Sequence, residues 1–426
     1  MLRDIRPLAL LFFTFALTAC GGGGGGGGGT FQTASGECAA DVIPKRFLVQ
    51  YVDGTTEVVE AESKDDFIDG FLEKNRDRIA FAEHDFRVRG VPFAGNPGVN
   101  KKAAFADNWG PIRVGVESLW QQNLYGADVI VAVVDTGVDI EHPQLRDRIV
   151  VNLDETGVDE RGRNRATNGV DDDGNGFIDD AYGYNFAKDR GLTGDNDFHG
   201  THVAGIIAAE HNDSQARAAG YVQGLAPKAK ILPVAFLGEG GNGNMSNGVA
   251  AIKYAVLRGA KVINASWGGS ACSRTLREVI RTLADKGVAF VSASGNEELN
   301  IDRSFMYPAS FNLPGQITVG ATGQMDSMAR YSNYGVKNVH IFAPGTLIVS
   351  TFPGGEMMES SGTSMATPFV AGAIAILMGA EPTATVDQIR EALFLSAYHN
   401  PSYLNASQGR LDLTTALTEL RALLAP

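Results

Sequence analysis

Continuous apolar runs recur along this chain and alternate with segments whose apolar residues repeat every three or four positions. A short apolar run that ends in glycine or small polar residues is typical of a strand buried on both faces of a parallel sheet. Strands alternating with helices predict an α/β domain with a doubly wound, mostly parallel sheet. The runs are residues 128–137, 229–238, 260–269, 288–296 and 315–322, and helical patterns occupy residues 201–211, 247–259 and 273–287.

A smaller unit precedes this domain. Residues 45–52 and 79–91 have the pattern of strands, and residues 63–79 have that of a helix that begins after Ser63. Together they predict a small α+β unit. The Pro- and Gly-containing stretch that follows it predicts a linker. From these residues alone, the unit could equally be a small interaction domain that stays attached to the rest of the chain.

The N-terminus has the features of a targeting segment. Arg3 and Arg6 precede an apolar stretch, Leu8 to Ala19, that is too short to span a bilayer. The stretch ends in "LTAC", which resembles a bacterial lipobox and implies export with a lipid on Cys20 as the membrane anchor. The glycine run that follows would then be a flexible tether. An ordinary signal peptide with a chance cysteine is the alternative.

Composition narrows the class of protein. Hydrophobic residues make up 44% and charged residues 20% of the 426 residues, so a large core can be buried. The formal net charge of −13 argues against nucleic acid as a partner, because phosphate binding needs a basic surface. Apart from Cys20, the cysteines are Cys38 and Cys272. Export would permit a disulfide, but their spacing follows no pattern and predicts none.

Four polar residues stand where the strand and helix patterns change. Asp135 ends the first apolar run, Asn296 ends the fourth, His199 begins a helical pattern, and Ser364 begins another. Ligands bind beyond the carboxyl ends of the strands in such sheets, so these side chains could converge. A serine activated by a histidine that a carboxylate orients, with an amide to hold an oxyanion, is a nucleophilic site.

Spacing alone leaves other interpretations open. His199 and His202 form an H-x-x-H pair that could bind a metal ion, although no further ligand motif frames it. Ser364 could simply cap its helix, since serine is a common N-cap residue.

The motifs around these residues resemble those of the subtilisin-like serine proteases. "VAVVDTGVD", "HGTHVAGI" and "GTSMATPFVAG" occur in the family's order, "SASGN" resembles its oxyanion-hole segment, and the similarity covers about residues 108–417. The resemblance implies a serine endopeptidase in which Asp135 orients His199. His199 would act as general base and then acid, Ser364 would attack, and Asn296 would hold the oxyanion. His202 would lie inside the fold.

The resemblance also implies where a peptide substrate binds. It would lie as an added strand between two segments of the chain. Trp267 could equally belong to the core. The two segments are Ser266, Trp267 and Gly268 on one side, and Gly241, Asn242 and Gly243 on the other.

An acidic loop predicts a structural calcium site. Its D-x-D-x-N-G-x-x-D spacing resembles the first nine positions of an EF-hand loop, but the twelfth position is Tyr182 instead of Glu. Asp180 is the expected compensation, and a solvated acidic turn is the alternative. The family's usual calcium site is not predicted, because Gln144 replaces its Asp. The expected ligands in the loop are Asp171, Asp173, Asn175 and Asp179.

The resemblance extends weakly to the small N-terminal unit, which is similar to the inhibitory propeptide of these proteases. The chain would then be a zymogen whose own prosegment is a binding partner, and a cut in the linker would separate the catalytic domain from its lipid. A permanent stalk is the alternative. The predicted order is signal peptide 1–19, tether 20–44, propeptide 45–92, linker 93–107 and catalytic domain 108–424.

One rival function comes from another class. A catalytically silent, calcium-dependent surface binding protein could use the same fold, but it would be expected to have lost a residue of the triad. Hydrolysis of a different bond is a third possibility, and the two segments that resemble peptide-binding edges argue against it.

Overall fold

The apolar runs of the sequence form the central strands of a large sheet in the computed structural model, which describes residues 30–31, 41–90, 109–211 and 222–425. The predicted signal peptide, Cys20, Cys38 and the whole predicted linker, 93–107, lie outside these residues. Two units are described below: the N-terminal unit, residues 41–90, and the large domain, residues 109–425.

The strands are numbered in chain order and belong to three sheets. The ten-stranded sheet contains β5 (Ile130–Asp135), β6 (Tyr184–Asn185), β7 (Arg190–Gly191), β8 (Lys230–Ala235), β10 (Val262–Ala265), β12 (Ala289–Ala293), β13 (Gln316–Thr322), β14 (Ile341–Pro344), β17 (Tyr398–His399) and β18 (Gly409–Arg410). The six-stranded sheet contains β1 (Thr30–Phe31), β2 (Val42–Tyr51), β3 (Thr56–Glu60), β4 (Ile79–Gly90), β9 (Asn242–Asn244) and β11 (Trp267–Gly268). A hairpin contains β15 (Ile348–Phe352) and β16 (Glu356–Ser360).

The helices are likewise numbered in chain order. The first continues as a π-helical turn, Ile68–Leu72, and a 3-10 turn, Glu73–Asn75. The α-helices are α1 (Lys64–Phe67), α2 (Trp109–Arg113), α3 (Glu117–Trp120), α4 (His199–Ala208), α5 (Met245–Leu257), α6 (Arg274–Arg281), α7 (Thr363–Ala380), α8 (Val386–Leu395) and α9 (Ala416–Leu424).

The central strands are parallel and buried on both faces, as their apolar runs predict. In β5, Val131 and Val133 pack into one hydrophobic cluster while Ala132 and Val134 pack into another. Helices α4, α7, α8 and α9 contribute to the first cluster, and α5 and α6 contribute to the second. The sheet therefore lies between two layers of helices, and the predicted doubly wound α/β fold is confirmed.

Strand order reverses at β5. The order in the middle of the sheet is β14-β13-β12-β10-β5-β8, so the chain moves from β5 to β8 on one side and then crosses to β10 on the other. Crossovers that leave in opposite directions open a crevice at the carboxyl ends of the strands. Asp135 is the last residue of β5, and Ser266 directly follows β10. Both therefore lie at this crevice.

The N-terminal unit has a small core of its own and also packs on the large domain. Phe47 on β2 stacks on Phe67 of α1 with ring centroids 4.2 Å apart. Leu48, Phe86 and Val88 face the other way and join the cluster that contains α5 and α6. The strands of this unit thus bury both faces, one against their own helix and one against the large domain.

Several elements differ from the sequence-based expectation. The run 260–269 forms two strands, β10 and β11, because Ser266 interrupts the pairing between them. The predicted long helix after Ser63 does have Ser63 as its cap, but only its first turn is a regular α-helix. Strands β3 and β14 and the β15–β16 hairpin were not predicted.

Helix α7 is apolar along its whole length. It has 18 residues with a mean hydropathy of 1.6, which would suit a membrane span, yet 83% of them are buried inside the protein. This burial identifies α7 as a core helix, and it packs on α4 and on strands β10, β12, β13 and β14.

Cys272 is disulfide-bonded. The spacing of the cysteines does not predict this bond, because a disulfide depends on which segments the fold brings together. Cys272 is half-buried and lies immediately before Ser273, the N-cap of α6.

Candidate active site

The Asp135 and His199 side chains meet at the crevice. Asp135 Oδ1 and His199 Nδ1 are 2.7 Å apart, and the same carboxylate oxygen accepts a hydrogen bond from the Thr136 backbone N–H at 2.7 Å. Asp135 is fully buried and His199 nearly so. A buried carboxylate is costly unless it is hydrogen-bonded, and these contacts satisfy that requirement at Oδ1.

Asp195 holds the start of α4 against the end of β5. Its Oδ1 accepts from Thr136 Oγ1 at 2.6 Å, and its Oδ2 accepts from the Thr201 N–H at 2.9 Å and from Thr201 Oγ1 at 2.6 Å. The approach is so close that a Cβ at Gly200 would clash with the Gly137 carbonyl oxygen. Glycine at position 200 therefore allows His199 to reach Asp135.

The pKa of His199 is raised by nearby carboxylates. Burial alone would lower the pKa of this imidazole, but the charge and hydrogen bond of Asp135, with smaller contributions from Asp195 and Asp197, outweigh burial. The imidazolium form is therefore stabilised. A histidine in this environment is a stronger base than an exposed one.

His202 differs from His199 although it lies one turn along the same helix. It is fully buried, its Nε2 lies 3.0 Å from the Met358 carbonyl oxygen, and burial lowers its pKa to about 3. The ring is thus neutral and contacts β16. The cluster of potential metal ligands found in the described part of the chain contains neither histidine. His202 belongs to the packing of α4.

Ser364 lies in the first turn of α7 as its second residue. The N-cap is Gly362, so Ser364 is not the helix cap. Pro368 is four residues further on and lacks the N–H that would normally bond the Ser364 carbonyl. Ser266 Oγ donates to that carbonyl at 3.0 Å, and Ser364 Oγ donates to the Ser266 carbonyl at 3.2 Å. These two reciprocal bonds join the serine to the end of β10.

Asn296 lies against the start of the same helix. Its Oδ1 accepts from the Thr363 N–H at 2.9 Å, and a Cβ at Gly362 would lie 3.1 Å from its Nδ2. The amide is therefore oriented by α7, with its nitrogen beside Gly362. The fold brings all four predicted catalytic residues to the carboxyl edge of the sheet.

The two predicted substrate-binding segments lie along the edges of a cleft. Strand β4 of the N-terminal unit lies between them and pairs antiparallel with both. Gly90 is opposite Trp267 and Arg89 is opposite Gly268, while Arg89 and Val88 are opposite Asn242 and Gly243 on the other side. Ser266 and Gly241 immediately precede β11 and β9. The cleft therefore binds an extended chain as the middle strand of three.

Trp267 belongs both to an edge of the cleft and to the hydrophobic core. Its backbone pairs with β4, while its side chain is fully buried and packs on Phe236 with ring centroids 4.9 Å apart. The indole thus belongs to the core below the cleft.

Sequence patterns did not single out Met306, which reaches between two glycines of the cleft. A Cβ at Gly268 would lie 3.6 Å from Met306 Sδ, and a Cβ at Gly295 would lie 3.2 Å from Met306 Cε. Gly295 directly precedes Asn296. The thioether therefore fills space between Gly268 at one edge of the cleft and Gly295 beside Asn296.

The acidic loop brings together part of the predicted ligand set and one residue from outside it. Carboxylate oxygens of Glu155, Asp171 and Asp173 all lie within 4.8 Å of one another. Asn175 Nδ2 donates to Asp173 Oδ2 at 2.9 Å, whereas Asp179 accepts from the Gly169 N–H at 3.0 Å. Glu155 precedes the loop by sixteen residues, so the EF-hand-like spacing gave no sign of it.

Asp180 connects this loop to the end of α5. It is fully buried, its Oδ2 accepts from Arg258 Nη1 at 2.6 Å and from Tyr254 Oη at 2.8 Å, and its Oδ1 accepts from Asn152 Nδ2 at 2.6 Å. Tyr254 and Arg258 lie at the end of α5. Asp180 was expected to be a compensating ligand in the loop. In the structure, both of its oxygens instead accept hydrogen bonds from these side chains.

Gln144 ties together chain segments by neutral hydrogen bonds. Its Nε2 donates to the Glu210 carbonyl at 2.9 Å and to the Val222 carbonyl at 2.8 Å. An amide N–H and a calcium ion are alternative partners for carbonyl oxygens. The substitution of Gln for Asp at this position is therefore accommodated by hydrogen bonds.

Hydrolysis of peptide bonds is the chemistry that this arrangement suits, because the cleft binds extended main chain beside a serine and a histidine–carboxylate pair. The fold and the site define a serine peptidase with a doubly wound α/β domain. A model of the subtilase family matches residues 126–412. The chain belongs to the subtilase family.

Two relatives and one solved structure illustrate the similarity. The thermophilic serine proteinase of Bacillus sp. (strain AK1) is 35% identical over 269 residues, which are 63% of this chain and 57% of that protein. Subtilisin Savinase of Lederbergia lenta is 35% identical over 285 residues, 67% of this chain and 89% of that protein. Fervidolysin of Fervidobacterium pennivorans, described as a keratinolytic enzyme related to subtilisin, has a TM-score of 0.71 and 26% identity over 92% of this chain. This chain spans less than two thirds of the AK1 proteinase, and covers 63% of the fervidolysin chain.

The pH dependence of activity should depend on the charges of the carboxylates around His199. A general base must be neutral, so kcat/KM should rise as pH passes the raised pKa of His199. Asp197→Asn removes one of the charges that raise this pKa, and the half-maximal rate should then be reached at a lower pH. The pH profile of kcat/KM on a peptide substrate measures this. Glu117→Gln, an exposed substitution on α3, is the control, and an unchanged midpoint in Asp197→Asn would contradict the assignment.

Proposed function

We propose that this subtilase is an exported serine endopeptidase, made as a zymogen and anchored by a lipid on Cys20. Asp135 orients His199, Ser364 is the nucleophile, and Asn296 holds the oxyanion. The observation that carries this proposal is the hydrogen bond between buried Asp135 and His199 at the edge of a cleft that already pairs with an extended strand.

In the proposed reaction, Ser364 Oγ attacks the carbonyl carbon of the substrate and His199 takes the hydroxyl proton. The proton is then given to the leaving amine, and a water molecule repeats the sequence on the acyl-enzyme. Asp135 keeps the imidazole in the correct tautomer and stabilises its charged form. Nδ2 of Asn296 is the proposed side-chain donor to the oxyanion, because its Oδ1 is already bonded to the Thr363 N–H.

Proteins and peptides are the proposed substrates. Ser266 to Gly268 and Gly241 to Gly243 would pair with the substrate main chain as they pair with β4. Because such pairing involves main-chain groups, selectivity rests on the pockets. Met306 would restrict the side chain next to the cleaved bond to small or flexible residues.

The N-terminal unit is the proposed inhibitor. Its last strand fills the cleft, and two of its carboxylates cap helices of the large domain. Glu83 accepts from Ser273 Oγ at 2.6 Å and from the Arg274 and Thr275 N–H groups at the start of α6. Asp85 accepts from the Ser246 N–H at 3.0 Å in the first turn of α5. Anions at helix N-termini are stabilised by free N–H groups and by the helix dipole.

Calcium is the proposed structural ion of the acidic loop, held by Glu155, Asp171 and Asp173. Glu155 Oε2 is buried and has no hydrogen-bond partner among the described residues, and burial together with the charges of Asp180 and Asp172 raises the pKa of this carboxyl. A hard cation that prefers oxygen ligands fits a buried carboxylate group of this kind. When bound, the ion would neutralise the repulsion between these carboxylates.

Ser364→Ala should abolish proteolysis. Loss of the nucleophile is expected to lower kcat by about 10⁶-fold, the size of effect found in subtilisin, a member of this family. Casein hydrolysis and labelling by a fluorophosphonate probe measure it. Ser361→Ala is the matched control, since Ser361 Oγ accepts from the Leu347 N–H, and this variant should keep both signals. Casein cleavage by Ser364→Ala at the wild-type rate would refute the assignment.

Glu83→Gln should weaken inhibition by the N-terminal unit. Hydrogen bonds to a charged group contribute about 1.5–3 kcal/mol, so the unit should bind at least about tenfold more weakly. Casein hydrolysis should therefore appear sooner after purification of the precursor. Glu60→Gln, which alters an exposed carboxylate of the same unit, is the control. Equal lag times for the two variants would argue against the role given to Glu83.

Glu155→Gln should remove most of the stabilisation by calcium. An ion at a hundredfold excess over its Kd stabilises the native state by about 2.7 kcal/mol, which should raise Tm by roughly 5 °C. Thermal unfolding with calcium and with a chelator measures the difference. Asp179→Asn should keep the calcium response, because Asp179 faces the Gly169 N–H instead of the cluster. If wild-type Tm is the same with and without calcium, the loop is a solvated turn.

A further inference from the structure

We propose that the disulfide at Cys272 joins the large domain to Cys38, and so keeps the protease covalently attached to the segment that precedes its N-terminal unit after the linker has been cut. The proposal rests on the proposed zymogen function. It reverses the expectation that a cut in the linker lets the catalytic domain leave its anchor.

The number of cysteines limits the choice of partner. Cys272 is disulfide-bonded, and the chain contains only two other cysteines, Cys20 and Cys38. Both precede residue 41, so either pairing connects the large domain to a point N-terminal to the linker. Cys20 is the proposed site of the lipid, whose thioether would leave no thiol for a disulfide. Cys38 is therefore the proposed partner.

Described contacts near Cys272 lead to the same part of the N-terminal unit. Ser273 Oγ and the Arg274 N–H, the next two residues, donate to Glu83 of β4. The guanidinium of Arg274 lies over the ring of Phe81, 4.2 Å from its centroid. Cys272 is thus placed immediately beside the stretch of β4 that contains Phe81 and Glu83.

The chain on both sides of Cys38 meets the same stretch of β4. Phe31 on β1 pairs with Ala82, and the Asp41 carbonyl accepts from the Arg87 N–H at 2.8 Å. Glu83 lies between these two points. Cys38 precedes Asp41 by three residues, which span at most roughly 10 Å when fully extended. This chain length keeps the Cys38 Cα within about 10 Å of the Asp41 Cα, and the Asp41 carbonyl is bonded to β4 at Arg87.

The bond changes what a cut between residues 91 and 108 does. A disulfide from Cys38 to Cys272 bypasses the linker, so the two pieces remain one molecule. The N-terminal unit then stays close to the cleft, and its inhibition remains intramolecular. Reduction by a dithiol would convert the bond to two cysteine thiols while the dithiol closes to its own disulfide, and only then could the pieces separate.

The test uses the full-length Ser364→Ala protein with a recognition sequence for a site-specific protease placed within residues 93–107. Cutting is then independent of the protein's own activity, so a failure of the proposed peptidase function would not affect the result. The cut protein is run on denaturing gels with and without dithiothreitol. We expect one species of full mass without reductant and two fragments with it.

Two variants identify the partner. Cys38→Ser should give two fragments even without reductant, whereas Cys20→Ser should keep the single species. Mass spectrometry of a non-reduced digest should show a peptide pair containing Cys38 and Cys272. If the protein with all three cysteines gives two fragments without reductant, the proposal is wrong. It is also wrong if the fragments stay linked in Cys38→Ser or separate in Cys20→Ser.

Discussion

Two hydrogen bonds between Ser266 and Ser364 connect the central sheet to the helix that carries the proposed nucleophile. The bond to the Ser364 carbonyl forms because Pro368 leaves that carbonyl without its usual helical donor, and the Ser266 hydroxyl takes that place. The same residue, Ser266, separates β10 from β11 and turns the chain from the sheet to the cleft. The position of the serine relative to the bound strand therefore depends on this junction. The same sheet also positions the Asp135–His199 pair, because Asp135 ends β5 and β5 pairs with β10.

Sequence patterns predicted the sheet well because its strands are buried on both faces. A run such as residues 128–137 has one interpretation once helices flank it, and β5 lies within it. Some short strands were missed, among them β14, which has four residues and lies between β13 and β18 in the sheet. The motifs predicted that Asp135 and His199 would meet, and the hydrogen bond between them was found. The catalytic roles of these residues remain predictions.

Contacts between distant segments could not be read from local spacing. Glu155 reaches the acidic loop only because a 3-10 turn, Leu153–Glu155, folds beside it. Asp179 fits the spacing of an EF-hand loop, yet its positive φ of 57° and its bond to the Gly169 N–H direct it elsewhere. Glu83 and Asp85 are two residues apart on a strand and so share one face, but nothing in the sequence shows that two helix starts lie opposite them.

The continuity of β4 has a consequence for how a substrate gains entry. A peptide that enters the cleft must replace β4 at the same main-chain groups of β9 and β11, so one set of interstrand bonds is exchanged for another of similar number. The exchange is then nearly neutral within the cleft. What resists it lies elsewhere, in the Glu83 and Asp85 contacts and in the buried faces of Leu48 and Phe86. If peptides bind in this cleft as proposed, the contacts that the N-terminal unit makes outside the cleft determine how readily a peptide replaces β4.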